Sequence, residues 1–178
     1  MKTFVLSVCV LTLAIPTLAF AQKPKETFKT SIVQQDKGAD VSKFKTYAWT
    51  PGHPALLPEV DKEIVAAIDA QLAARGLTKA AKGDVLVCYH SVEREDVDLK
   101  TFDEKAPAAG AQRQEAQTVR VGTLVVDLKD GASNKLIWRA KAEGVTSNLP
   151  AANRAAFLNE AAAKVFELYP GAKGAGKK

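Results

Sequence analysis

Two cysteines and two histidines are all that 178 residues offer of those types, and each scarcity excludes something. Cys9 lies in an apolar N-terminal run and Cys88 in the body of the chain. Once that run is removed no disulfide can form within the chain, so stability must come from packing. The histidines, His53 and His90, come without the CxxC, HExxH or paired Cys/His spacing of a zinc motif. GxSxG, Walker and GxGxxG signatures are also missing. The Gly-rich "GAKGAGKK" at 171–178 lacks the strand and helix that a phosphate loop needs around it. Positive charge is not concentrated either. The net +5 comes from 25 basic and 20 acidic residues that are interspersed, without a basic stripe carrying aromatics, so no nucleic-acid partner is expected. After residue 21 no apolar run approaches the roughly 20 residues of a membrane-spanning helix.

What is present begins with an address. Lys2 gives a positive start, Phe4 to Leu18 are mostly apolar, and Ala19-Phe20-Ala21 places small residues at the −3 and −1 positions of a cleavage site. Residues 1–21 therefore read as a signal peptide cleaved after Ala21, which implies a periplasmic protein or, as the alternative, a secreted one. Gln22 follows the cleavage site where a lipidated protein would carry cysteine, and Cys9 lies too early, so no lipid anchor is expected. Removing Lys2 lowers the net charge by one.

Residues 22–27 form a polar leader, 28–170 a single domain, and 171–178 a basic tail with nothing to bury, expected to be disordered. Strands are expected near 28–35, 44–50, 84–92, 118–128 and 136–146, from β-rich composition and apolar alternation. Two helices are expected, near 59–75 and 150–169. In the first, Val60, Ile64, Ile68 and Leu72 step by four behind Pro58, Glu59, Asp61 and Glu63, and Gly76 and Leu77 suit a Schellman ending. In the second, Phe157, Ala161, Val165 and Leu168 form the stripe and Pro170 stops it. Residues 51–58, "PGHPALLP", hold three prolines and a glycine and must be a loop, and 93–117 reads as a long irregular one. In the stretch 122–144 a hairpin is expected to pair Leu128 with Leu136, Val126 with Trp138 and Leu124 with Ala140, with Asp130-Gly131 supplying positive φ in the turn. Asp127, Arg139 and Lys141 then fall on the solvated face. The fold class is α+β: a two-layer sandwich with a mostly antiparallel sheet of about five strands and both helices on one face.

"DVSKFKTYAW", "IVAAIDAQLAARGL", "GDVLVCYHSV", "GTLVVDLKDGASNKLIWRAKAEG" and "FELYP" occur in that order. Together they resemble the domain-of-unknown-function 4136 family, bacterial exported and often lipid-anchored envelope proteins, over nearly all of residues 30–170. The resemblance implies a fold and an address. It brings no activity, cofactor or catalytic residue.

Candidate chemistry is sparse. Cys88 and His90 share one face of a strand, about 6.5–7 Å apart along it, which could begin a Cys–His dyad. With His53 and a carboxylate they have the ligand types of a metal site. Glu93, Glu95, Asp96 and Asp98 could bind a divalent cation, although such clusters are usually just solvated. Tyr47 and Trp49 share a strand face and, should the helices cover the other face, would help form a binding surface. The expected function is a non-enzymatic binding or scaffolding domain, without catalytic residues or cofactor, whose partner is an envelope protein or small ligand. The alternative is a small hydrolase, metal-dependent or Cys/His-based, using Cys88 and His90.

Overall fold

A computed structural model describes residues 28–97 and 118–170. The expected signal peptide, polar leader and basic tail, and most of the expected long loop, lie outside the described residues. Six strands form one sheet: β1 (Phe28–Gln35), β2 (Thr46–Trp49), β3 (Thr78–Lys79), β4 (Val85–Val97), β5 (Thr118–Asp130) and β6 (Leu136–Val145). Two helices, α1 (Pro58–Ala73) and α2 (Ala151–Phe166), pack on one of its faces. The expected α+β sandwich is therefore present, with six strands where about five were expected. The order is β1-β6-β5-β4-β2-β3. β1, β6, β5 and β4 are antiparallel neighbours, whereas β2 runs parallel to both β4 and β3. α1 is the crossover that makes β2 and β3 parallel.

Local chemistry sets the element ends. Asp40 accepts hydrogen bonds from the Ser42 N–H and hydroxyl, closing a 3-10 turn over Val41–Lys43, so β2 begins only at Thr46. α1 opens on Pro58, whose missing N–H costs nothing in a first turn. It ends as expected: Gly76 has φ 81°, its N–H reaches Ala73 O, and the Leu77 N–H reaches Leu72 O, the Schellman pattern. The β5–β6 turn is held by Asp130, which accepts from Ala132 N, Ser133 N and the Ser133 hydroxyl. Positive φ falls on Asn134, not on Asp130-Gly131 as expected.

The hairpin register differs from the expected one by two residues: Leu128 faces Trp138, Val126 faces Ala140 and Leu124 faces Ala142. A shift between Leu128 and Lys129, where Lys129 faces Leu136 and Ile137 is the extra residue, accounts for one of the two. A slip of two preserves which face each side chain takes. Residues 93–97 are also not loop. They continue β4 and pair with 118–122 of β5. Edge strand β1 carries a shift at Val33, which breaks its regular edge.

The core lies between sheet and helices. Ile64, Ala67, Ile68 and Leu72 of α1 and Ala161, Ala162, Val165 and Phe166 of α2 meet Val85, Val87, Val126, Leu128, Trp138 and Ala140. Trp138 is fully buried, with ring centres 5.7 Å from Phe166 and 5.8 Å from Tyr169. Arg75 bridges the helices, donating to Phe166 O at 2.7 Å, and Arg154 pairs with Glu63 at 2.8 Å. Gly144 leaves the space in which the Phe28 and Phe157 rings meet at 4.6 Å.

All three tyrosines belong to this layer and have phenol pKa values raised above the ordinary 10.0. Burial is the largest cause in each. Tyr47 donates to Asp69 at 2.8 Å and Tyr89 to Asp61, whose carboxylates oppose a phenolate and raise Tyr89 to about 12. Because the folded values exceed the unfolded one, the stability they contribute is fully present below pH 10.0 and is lost as pH rises through the folded values. Spectrophotometric titration should show no phenol ionising at the ordinary value while the fold persists. Tyr47 or Tyr89 ionising there would mean that these hydrogen bonds do not form, and Tyr169 doing so that its ring is not buried.

Candidate functional site: a Cys–His–Asp–Arg cluster on the helix-free face

β4 alternates, sending Val85, Val87 and Tyr89 to the helices and Cys88 and His90 to the opposite face. On that face Cys88 lies directly across from Asp127 in β5, and Asp127 directly across from Arg139 in β6. Three neighbouring strands thus set a thiol, a carboxylate and a guanidinium in one row, with His90 one step along. Cys88 Sγ is 3.9 Å from His90 Nε2 and 3.9 Å from Asp127 Oδ2, and His90 Nε2 is 3.4 Å from the same Oδ2. Arg139 holds the carboxylate with two hydrogen bonds, Nε to Oδ1 at 2.6 Å and NH2 to Oδ2. The Asp127 side chain is 1% exposed and that of His90 30%. Cys88 is buried.

His53 joins them through the backbone. The proline-rich loop after β2 runs along β4, with His53 N donating to Tyr89 O at 3.0 Å and Ser91 N donating to His53 O at 2.9 Å. His53 consequently pairs in parallel with His90, and the two imidazole centres lie 6.0 Å apart. An added Cβ at Gly52 would sit 2.1 Å from Tyr89 O, so this close approach requires glycine.

Burial, and then the Asp127 charge, push the Cys88 thiol pKa up, opposed by Lys129 and Arg139. The Asp127 hydrogen bonds raise Arg139 further above its already high value. A cysteine nucleophile needs the reverse: a lowered pKa, and a histidine that faces the sulfur with one nitrogen while the orienting acid holds the other. Here a single nitrogen, Nε2, faces both. The arrangement has the donor types of a metal centre and lacks the wiring of a triad.

The other expected sites separate. Tyr47 and Trp49 lie under α1, not on the free face: Tyr47 is buried, and the Trp49 indole N–H donates to Asp69 at 2.9 Å. The parity was sound, but the helices cover that same face, so the pair belongs to the core boundary and not to an exposed binding patch. Glu93 and Glu95 share one face of β4 and Asp96 takes the other; Glu93 accepts from the Thr146 hydroxyl and Asp96 pairs with Arg94, so the three do not converge. Asp98 lies outside the described residues. Lys141 pairs with Glu143, not with Asp127. Asp127 was missed as a site residue. Its signal was a lone acid in the middle of the apolar run "LVVDL".

The family described as "Domain of unknown function (DUF4136)" matches residues 32–171. The chain belongs to this family. No curated protein matches the DUF4136 chain in sequence. Among solved structures, this DUF4136 domain is similar to a PDZ domain protein from Parabacteroides distasonis, at TM-score 0.54 and 17% identity over 85% of this chain. It spans only 36% of that protein's length. It is also similar to a PelC dodecamer from Paraburkholderia phytofirmans, at TM-score 0.50 and 13% identity over 78% of this chain and 94% of that one. At such identities the likeness concerns the fold of the DUF4136 domain alone. No helix among the described residues is long and apolar enough to cross a membrane.

Proposed function

We propose that the chain is a non-enzymatic binding or scaffolding module of the bacterial envelope, exported by residues 1–21 to the periplasm, which presents the helix-free face of its sheet to an envelope protein or small ligand. One observation carries the non-enzymatic part: the cluster on that face turns the same imidazole nitrogen to both sulfur and carboxylate, and burial beside Asp127 pushes the thiol pKa up, the opposite of an activated nucleophile. The surface around it is a lattice of paired charges, Arg94–Glu143–Lys141, beside the exposed Val92 and Val145. Mixed charge with scattered apolar side chains suits polar recognition of a partner.

The tagged mature chain should capture a partner from periplasmic extract and lose it in the double variant Val92→Glu, Lys141→Glu. An empty capture would sink this reading. The convergence of Cys88, His90 and Asp127 favours a second one, a Cys/His hydrolase. It requires a reactive thiol, so rapid alkylation of Cys88 by iodoacetamide at neutral pH would support it. Slow alkylation of the folded protein is the expected result.

A further inference from the structure

We propose that Cys88, His90 and Asp127 bind one transition-metal dication of the zinc class, with His53 as the fourth ligand. A tetrahedral zinc ion with its usual bond lengths sets sulfur about 3.5–3.6 Å from a nitrogen or oxygen ligand, and nitrogen about 3.3 Å from oxygen. The corresponding distances here are 3.9, 3.9 and 3.4 Å. All three edges of one tetrahedral face therefore already exist, within about 0.4 Å. His53 is the chain's other imidazole, its ring centre 6.0 Å from that of His90, but it stands outside the three donors that lie within 4.8 Å of one another, so its side chain must turn inward to complete the set.

The surroundings suit an ion as well as the distances do. A buried ion pair requires only Asp127 and Arg139. The thiol and imidazole directed at the same carboxylate oxygen are additional, and a metal explains them. Arg139 holds both carboxylate oxygens, and Oδ2 in addition faces His90 and Cys88, so on ligation Oδ2 would bind the ion with one lone pair and keep Arg139 on the other, as an outer partner orients a ligating carboxylate. On ligation Cys88 releases its proton to solvent, and thiolate and carboxylate then face the dication and the Arg139 guanidinium, leaving the cluster with one net positive charge. The backbone bonds between 53 and 89–91 fix the loop before any ion arrives. Cys88 and Asp127 form the dry inner side, while the exposed His53 and part-exposed His90 leave a way in. One thiolate, one carboxylate and two imidazoles form a mixed set that suits zinc better than calcium or magnesium.

The proposal does not depend on partner capture, since a chain that captures nothing can still bind the ion. Metal-free protein would be titrated with Co2+ and then with Zn2+ against a chromophoric chelator. The expected result is one Co2+ per chain, with a sulfur-to-cobalt charge-transfer band that Zn2+ abolishes by displacement. Cys88→Ser should remove the band. His90→Gln alters a part-exposed side chain, so the fold survives, and it should weaken Zn2+ binding by at least about tenfold. Absence of the band in the wild type would overturn the site, as would unchanged Zn2+ affinity in His90→Gln. Unchanged affinity in His53→Ala would overturn the fourth ligand alone.

Discussion

Trp138→Ala is expected to lower the free energy of unfolding by about 3–5 kcal/mol, the range for emptying a buried aromatic site. For a domain of this size that corresponds to a fall of roughly 6–20 °C in Tm. Trp138 is the third residue of β6 and has no exposed surface, and Phe166 and Tyr169 of the C-terminal segment pack against it. Its loss removes the surface on which the end of α2 rests, and the two rings cannot close the gap without moving that end. Trp138→Phe should cost much less. It keeps most of the apolar volume, and the indole N–H it deletes is buried without a hydrogen-bond partner among the described residues. Thermal unfolding of both variants checks this. A Trp138→Ala protein as stable as a surface variant would mean that α2 does not dock where the structure places it.

Arg139→Met is expected to be comparably damaging, for an electrostatic reason. It leaves the Asp127 carboxylate, 1% exposed, without the two hydrogen bonds that balance its charge. Removing one partner of a fully buried pair costs about 3–5 kcal/mol, and the 36% exposure of the Arg139 side chain puts this pair at or below the lower end, whereas replacing both by apolar residues of similar volume is often neutral. The double variant Arg139→Met, Asp127→Leu should therefore recover most of the loss. Denaturant unfolding should be run with a chelator present, so that no ion substitutes for the guanidinium, and at a pH where an ordinary imidazole is neutral. If the single and double variants are equally destabilised, the buried charge is not the cause.

The elements that were legible in the sequence are those whose burial is periodic. α1 shows its stripe at Ile64, Ile68 and Leu72 because one side of it meets the sheet, and its Schellman end is written in Gly76-Leu77. Hairpin parity was legible for the same reason, with Leu128 and Trp138 inward and Asp127 and Arg139 outward. The exact register was not, because the extra residue at Ile137 leaves both faces unchanged two residues away. Strand β3 has two exposed residues and no pattern to read. The end of β4, "EREDV", looked like loop because it is exposed and no alternation marks it. The site was half legible. Cys88 and His90 declared a shared face, but Asp127 joins them through a pairing across an interval of more than 20 residues. His53 joins through a loop whose path only the coordinates show. The sheet order was out of reach, since no local residue says that the first strand lies beside the last.

That neighbourhood governs how the chain reaches its final form. Phe28–Gln35 and its antiparallel counterpart Trp138–Gly144 are separated by more than 100 residues of chain. The earliest segment must therefore wait as a loose thread until nearly the whole domain exists, and loop closure over such a span slows the last step. A polypeptide built in this way cannot close its sheet at β1 until its final strand is at hand.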